Sequence, residues 1–212
     1  MLESVTTFYR ASKLPLARLR LLELIEIETE KVVRKEYPLC TDVHQPDWTP
    51  LLEGNFATAS YGHDLENIWL VMDACEAVGT KPQKYQKLLE GLFAYSLKYG
   101  FDNEKGGFFS AGPFNQPATN RNKVWWAQAE ALVSSLWMYR LTGEQKYLDV
   151  FKKTWAFVET NMIDWQHGEW RDTITPEGRI RGQKASVWKA GYHNGRALIE
   201  CLAVLRPTTK QK

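Results

Sequence analysis

Apolar residues recur at helical spacing along most of the chain, interrupted by glycine and proline. The pattern predicts helices over 2–10, 14–36, 63–78, 82–99, 124–141, 144–160 and 189–204. No run alternates for long enough to predict an extended strand. Gly79 follows one helix, with Thr80 and Pro82 placed to cap and begin the next, and Gly100 and Gly143 stand just past two others. Two kinds of helix alternate. The segments holding Ile68-Trp69-Leu70-Val71-Met72, Leu132-Val133 with Leu136-Trp137, and Ala197-Leu198-Ile199 are apolar nearly all round, as expected of inner helices with protein on every side. Segments 14–36, 82–99 and 144–160 carry one apolar stripe opposite charged positions such as Glu23, Glu30, Lys31 and Arg34, or Lys146, Asp149 and Lys153. They read as outer helices.

Outer–inner hairpins repeating at a fixed period predict an all-α fold, either an α/α toroid or a helical solenoid. The stretches 101–122 and 164–187 are rich in Gly, Pro and Asn and contain Gly106-Gly107-Phe108-Phe109 and Gly168-Glu169-Trp170. Both predict short β-hairpins at one rim, each just ahead of an inner helix, where a loop covers a pocket. In the repeat His63 aligns with Trp126 and then with His193, so the preceding equivalent position falls just before Met1. A closed ring of six hairpins needs nearly twice as many helices. The expectation is therefore one domain over 1–212 that forms about half of a toroid, with open flanks covered by self-association into a homo-oligomer.

Composition narrows the function. At 212 residues and 44% hydrophobic content, the chain is long enough to bury a substantial core. Its 27 basic and 25 acidic side chains nearly balance, and Lys and Arg are spread along outer helices, which gives no electrostatic footprint for nucleic acid. No apolar run is long enough to span a bilayer, and the segment after Met1 carries Glu3 in place of a basic-then-apolar export signal. Cys40, Cys75 and Cys201 are odd in number and far apart, which predicts reduced thiols in a cytoplasmic protein.

Few residues remain to carry chemistry. His63 and Glu66 stand three apart on one helical face, a spacing that suits either a buried core histidine or an imidazole oriented for proton transfer. His193 opens the last inner helix, with Trp188 five residues before it. Two histidines entering one cavity from different helices can serve as acid and base on opposite faces of a substrate. Trp126 and Trp188 share the histidines' position in the repeat, and an indole offers an apolar face to the C–H side of a sugar ring. His44 reads as a loop residue. Neither an H-E-x-x-H motif nor a second Glu/His set is present, and there is no P-loop, dinucleotide fingerprint or nucleophile motif. The expectation is a reaction without metal or cofactor.

The motifs taken together resemble a known family. Ser60-Tyr61-Gly62-His63-Asp64-Leu65-Glu66 with Trp69-Leu70, then Trp125-Trp126-Ala127-Gln128-Ala129-Glu130, then Gly168-Glu169-Trp170, then Trp188-Lys189 with Tyr192-His193-Asn194 and Arg196-Ala197, are similar in order and spacing to the N-acylglucosamine 2-epimerase superfamily. The cellobiose (mannobiose) 2-epimerase branch is the most similar, and the likeness is to its C-terminal half. The resemblance implies an (α/α)6 barrel and cofactor-free inversion at C2 of the reducing-end glucose or mannose unit of a β-1,4-linked disaccharide. It implies that His63 and His193 exchange the C2 proton through an enediolate, that Glu66 assists, and that Trp126 and Trp188 hold the sugar. The family's remaining site arginine and third histidine lie in its first half and match no residue here. Two other readings stay open: a mannose-type aldose–ketose isomerase acting on a monosaccharide, and a non-catalytic chain that binds sugar or associates with itself.

Overall fold

A computed structural model describes residues 1–206. Seven α-helices form among them: α1 (Leu2–Ser12), α2 (Pro15–Ile27), α3 (Tyr61–Val78), α4 (Gln86–Gly100), α5 (Trp125–Thr142), α6 (Gln145–Phe157) and α7 (Tyr192–Leu205). Gly79 and Gly143 terminate α3 and α5 in the left-handed conformation that suits glycine. Gly100 departs from expectation. It is the last residue of α4, and the space its side chain would occupy is filled by the Tyr61 ring. The outer helices α2 and α6 stop earlier than the apolar stripe predicts, at Ile27 and Phe157, and each continues as one wider π turn, Glu28–Val32 and Val158–Met162. Side chains that bond back to the preceding turn accompany the change, Thr29 Oγ1 to the Ile25 carbonyl at 2.8 Å and Asn161 Nδ2 to that of Phe157 at 3.0 Å.

Neighbours follow the alternation read from the sequence. α1 packs on α3, α3 on α5 and α5 on α7, while α2, α4 and α6 lie against this row. Leu65 and Ile68 of α3 and Leu132, Val133 and Leu136 of α5 are fully enclosed in the core. Each such side chain contributes about 1.5–3 kcal/mol through burial. Cys40, Cys75 and Cys201 are buried and unbonded to one another. Among the described residues no helix is long and apolar enough to cross a membrane.

The same device closes each outer helix. The residue that ends the helical stretch pairs with one seven positions on, as Val33 with Cys40, Phe101 with Phe108 and Ile163 with Trp170. Beyond these bridges the rim segments are laced to one another. β1 (Thr58–Ser60), which leads into α3, pairs antiparallel with β2 (Ala111–Pro113) from the next rim segment. Likewise β3 (Lys123–Val124), which leads into α5, pairs with β4 (Thr173–Ile174), and β4 turns back on β5 (Ile180–Arg181). Stretch 164–187 thus holds a hairpin, whereas the longest ladder of 101–122 runs to a neighbouring unit. Each ladder fixes where an inner helix begins.

Candidate active site

Four inner helices bring one repeated position to a common centre. Glu3 of α1, Glu66 of α3, Glu130 of α5 and Arg196 of α7 occupy equivalent places once α3 and α5 are aligned on their first residues, Tyr61 and Trp125. That register pairs His63 and His193 with Ala127 and not, as the sequence alignment expected, with Trp126. The guanidinium meets all three carboxylates. Arg196 lies 2.7 Å from Glu3, 3.2 Å from Glu66 and 2.6 Å from Glu130. The Tyr192 hydroxyl joins the group, donating to Glu3 and accepting from Arg196. Glu130 is fully buried, yet its oxygens are satisfied: Oε2 accepts from the Trp69 indole at 2.7 Å, and Oε1 meets both Arg196 and His193. Burial works against the Arg196 charge, and the carboxylates of Glu130 and Glu3 more than offset it, so the guanidinium is held protonated. Burial and the Glu130 charge push the Glu66 carboxyl above its usual range, while His193 and Arg196 oppose them. Glu66, Glu130 and His193 could together offer ligand atoms to a metal, lying within 4.8 Å of one another, but Arg196 already supplies the cation there.

Above this centre the two histidines flank one indole. The Trp126 ring centroid lies 5.0 Å from that of His63 and 5.6 Å from that of His193. The imidazoles are therefore separated by no more than those two distances combined. Each ring is held at the same nitrogen by a carboxylate, His63 Nδ1 by Asp42 at 2.9 Å and His193 Nδ1 by Glu130 at 2.7 Å. In both, Nε2 remains as the nitrogen available to a substrate. Burial of the His63 ring lowers its proton affinity, and the Asp42 hydrogen bond and charge, aided by Glu66 and Asp64, outweigh this and raise it. Gly62 is what lets the indole stand here: a Cβ at that position would lie 2.5 Å from the outer edge of the Trp126 ring. Gly62→Ala is expected to displace the indole and cost about 1–3 kcal/mol by overpacking, read as a lower denaturation midpoint with altered tryptophan fluorescence.

Of the residues singled out from sequence, His63, His193 and Trp126 come together. Glu66 joins the same centre, turned toward Arg196, and the carboxylate that bonds His63 is Asp42. Trp188 stands apart, 86% exposed on the turn ahead of α7, and the second indole beside His193, after Trp126, is Trp125 at 6.4 Å. The cause is local. Lys189, beside it, is fully buried on Glu169 and Trp125, so the neighbouring side chain is turned outward. His44 bonds Thr41 Oγ1 at 2.8 Å. Asp42, Glu130 and Arg196 carry no assignment from the sequence, although the last two stand inside the family motifs. Their partners lie far off in the chain, and only folding reveals the pairs.

Residues 3–197 match the family of N-acylglucosamine 2-epimerase (GlcNAc 2-epimerase). The chain belongs to the N-acylglucosamine 2-epimerase family. Cellobiose 2-epimerase of Bacteroides fragilis is 28% identical over 206 residues, covering 95% of this chain and 51% of that protein. D-mannose isomerase of Pseudomonas cannabina pv. alisalensis is 35% identical over 122 residues, 55% of this chain and 28% of that protein. The solved cellobiose 2-epimerase of Spirochaeta thermophila superposes with a TM-score of 0.83 at 30% identity, over 96% of this chain and 50% of that one. The chain spans about half the length of the curated epimerases it matches.

The residue that follows His63 links the site to pH. Asp64 is completely buried, and desolvation pushes its carboxyl up to about 7, against hydrogen bonds from Cys40 and Ser96. The unfolded chain gives up that proton near the ordinary value of 3.8. The native state therefore binds the extra proton between these limits, and stability falls as pH rises through that window, by at most about 1.4 kcal/mol per unit, then levels. Denaturant midpoints at pH 5 and pH 7.5 are expected to show this fall, and Asp64→Asn to flatten it.

Proposed function

We propose that this chain is the histidine-bearing half of a cofactor-free sugar 2-epimerase, folded as about half of an (α/α)6 toroid with α1, α3, α5 and α7 as its inner wall. The observation that carries the reading is the Trp126 indole flanked by two imidazoles, each with Nδ1 on a carboxylate and Nε2 free. The substrate is the reducing-end glucose or mannose unit of a β-1,4-linked disaccharide. In its ring-opened form the C1 carbonyl acidifies the C2 proton. Nε2 of one neutral histidine takes that proton, leaving an enediolate, and the protonated partner returns a proton to the opposite face. C2 is inverted and the two histidines have exchanged roles. The raised proton affinity of His63 suits it to begin as donor. Trp126 stacks under the sugar, Glu66 and Arg196 steady the carboxylate that orients His193, and Trp188 is free to cover a bound sugar from the loop.

Dissolving the complete protein in D2O with cellobiose or mannobiose tests this. Deuterium is expected at C2 of both epimers, by NMR; unlabelled C2 after prolonged incubation overturns the reading. Because the same enediolate reprotonated at C1 gives a ketose, the likeness to a D-mannose isomerase makes isomerisation of mannose the second reading, which product analysis separates.

The flanks support self-association. Phe8, Leu14, Leu16 and Leu19 at one edge and Ile199, Leu202 and Leu205 at the other are more than half or about half exposed. Light scattering of the isolated chain is expected to give a dimer or larger; a strict monomer contradicts this.

A further inference from the structure

Within the proposed epimerase site, we infer that Asp64 is a positioning residue for His63: its buried carboxylate grips the Cys40 backbone and thereby sets Asp42 against the imidazole. Asp64 and His63 are adjacent in the first turn of α3 and point to opposite sides. His63 faces the open cavity, while Asp64 is wholly enclosed between α4 and the segment after α2. Asp64 Oδ1 accepts the Cys40 backbone N–H at 2.7 Å, and Oδ2 accepts the Ser96 hydroxyl at 3.3 Å. Two residues past Cys40, the Asp42 carboxylate meets His63 Nδ1 at 2.9 Å. Between them Thr41 is pinned, its N–H and hydroxyl both donating to the Val32 carbonyl. Asp42 itself is half-exposed and has no other side-chain partner among the described residues, so its place depends on the backbone that carries it.

The repeat shows that this grip is built deliberately into the fold. Cys40 closes the bridge after α2, and Phe108 closes the equivalent bridge after α4. The Phe108 N–H is accepted at 2.8 Å by Gln128, which stands at the same point of α5 as Asp64 does of α3. In the third unit Asn194 of α7 donates to the carboxylate of Glu169, the residue before the closing Trp170, at 2.8 Å. Two inner helices thus hold the same backbone amide of the preceding rim segment directly, and the third reaches that segment one residue earlier. Only in the first does the held segment run on to a carboxylate on a proton-transfer histidine. A carboxylate in that place is the costly choice, since an amide serves at Gln128 without a buried charge.

The test reads His63 directly by NMR of its imidazole in the complete protein, with His193 as internal control. The charged groups near enough to act on His63 are Asp42 and Glu66, which share its side of the helix, and Asp64 behind it. Asp42→Ala is expected to move the His63 midpoint down toward the ordinary imidazole value of about 6.5. Asp64→Ala is expected to do the same while His193 is unmoved, and the double variant to move it no further. Asp64→Asn, which keeps an acceptor for Cys40, is expected to restore most of the native midpoint. A native His63 midpoint in folded Asp64→Ala overturns the inference. Should that variant not fold, hydrogen exchange of the unaltered protein decides: the Cys40 amide is expected to be protected like those of the core helices, and rapid exchange there overturns it. Both readouts are independent of turnover, so failure of the epimerase reading leaves them interpretable.

Discussion

Replacing Glu130 with alanine is expected to be the most damaging single change in the chain. Its carboxylate is completely buried and serves three donors: the Trp69 indole, the Arg196 guanidinium and the His193 ring. Taking away one member of a buried ionic cluster leaves the others uncompensated, at a cost of about 3–5 kcal/mol. Arg196 would keep Glu3 and Glu66, but at the rim of the vacated space. A glutamine is milder, since it can accept from one donor and retains the volume, yet it removes the charge that Arg196 and a protonated His193 require. Denaturant unfolding is expected to rank native above Glu130→Gln above Glu130→Ala. Equal stability of all three would show that the central cluster does not hold the inner helices together. Function is expected to fall in both variants even at temperatures where they remain folded, because Nδ1 of His193 loses the group that fixes its tautomer.

Replacing either histidine is expected to leave the fold intact and remove turnover. His63 is exposed at the mouth of the cavity, so His63→Asn is expected to shift the unfolding midpoint little, whereas His193 is mostly buried on Glu130 and His193→Asn is expected to lower the midpoint without unfolding the chain. A positioned acid or base contributes roughly 10²–10⁴-fold in rate. Each variant is expected to lose epimerisation by at least that factor, measured as the approach to equilibrium from cellobiose. A variant that retains near-native turnover would remove its histidine from the mechanism.

The helices were legible in the sequence because a 3.6-residue period survives any tertiary arrangement, and the inner helices α3 and α5 stood out because they are apolar all round. Their ends were less so. Nothing local in Glu28–Val32 or Val158–Met162 breaks the period; what ends these helices is the bridge that follows, from Val33 to Cys40 and from Ile163 to Trp170. The site divides along the same line. His63, Trp126 and His193 could be found because the repeat sets them at one end of successive inner helices. Asp42 could not, since it reaches His63 from a loop whose course depends on the Cys40 contact with Asp64. Glu66 was visible as a partner for His63 by spacing alone, but Arg196, distant in sequence, provides a stronger one. Trp188 lies apart from the other two indoles for the reverse reason. The last inner helix starts at Tyr192, so the indole falls on a turn, where burial of Lys189 directs it outward.

The repeat also explains why four successive inner helices place charges at one point. Like charges brought together there repel unless one helix supplies the opposite sign. Arg196 does so for Glu3, Glu66 and Glu130. The centre is thus an electrostatic anchor beside the two histidines.

Crossed solvent exchange tests the two-imidazole account most directly. With each histidine on its own face of C2, a variant lacking one can still wash deuterium into the epimer whose C2–H meets the other. In D2O, His63→Asn is therefore expected to label only one of the two epimers and His193→Asn only the other, neither with conversion. Labelling of both epimers by either single variant would contradict the assignment of one imidazole to each face.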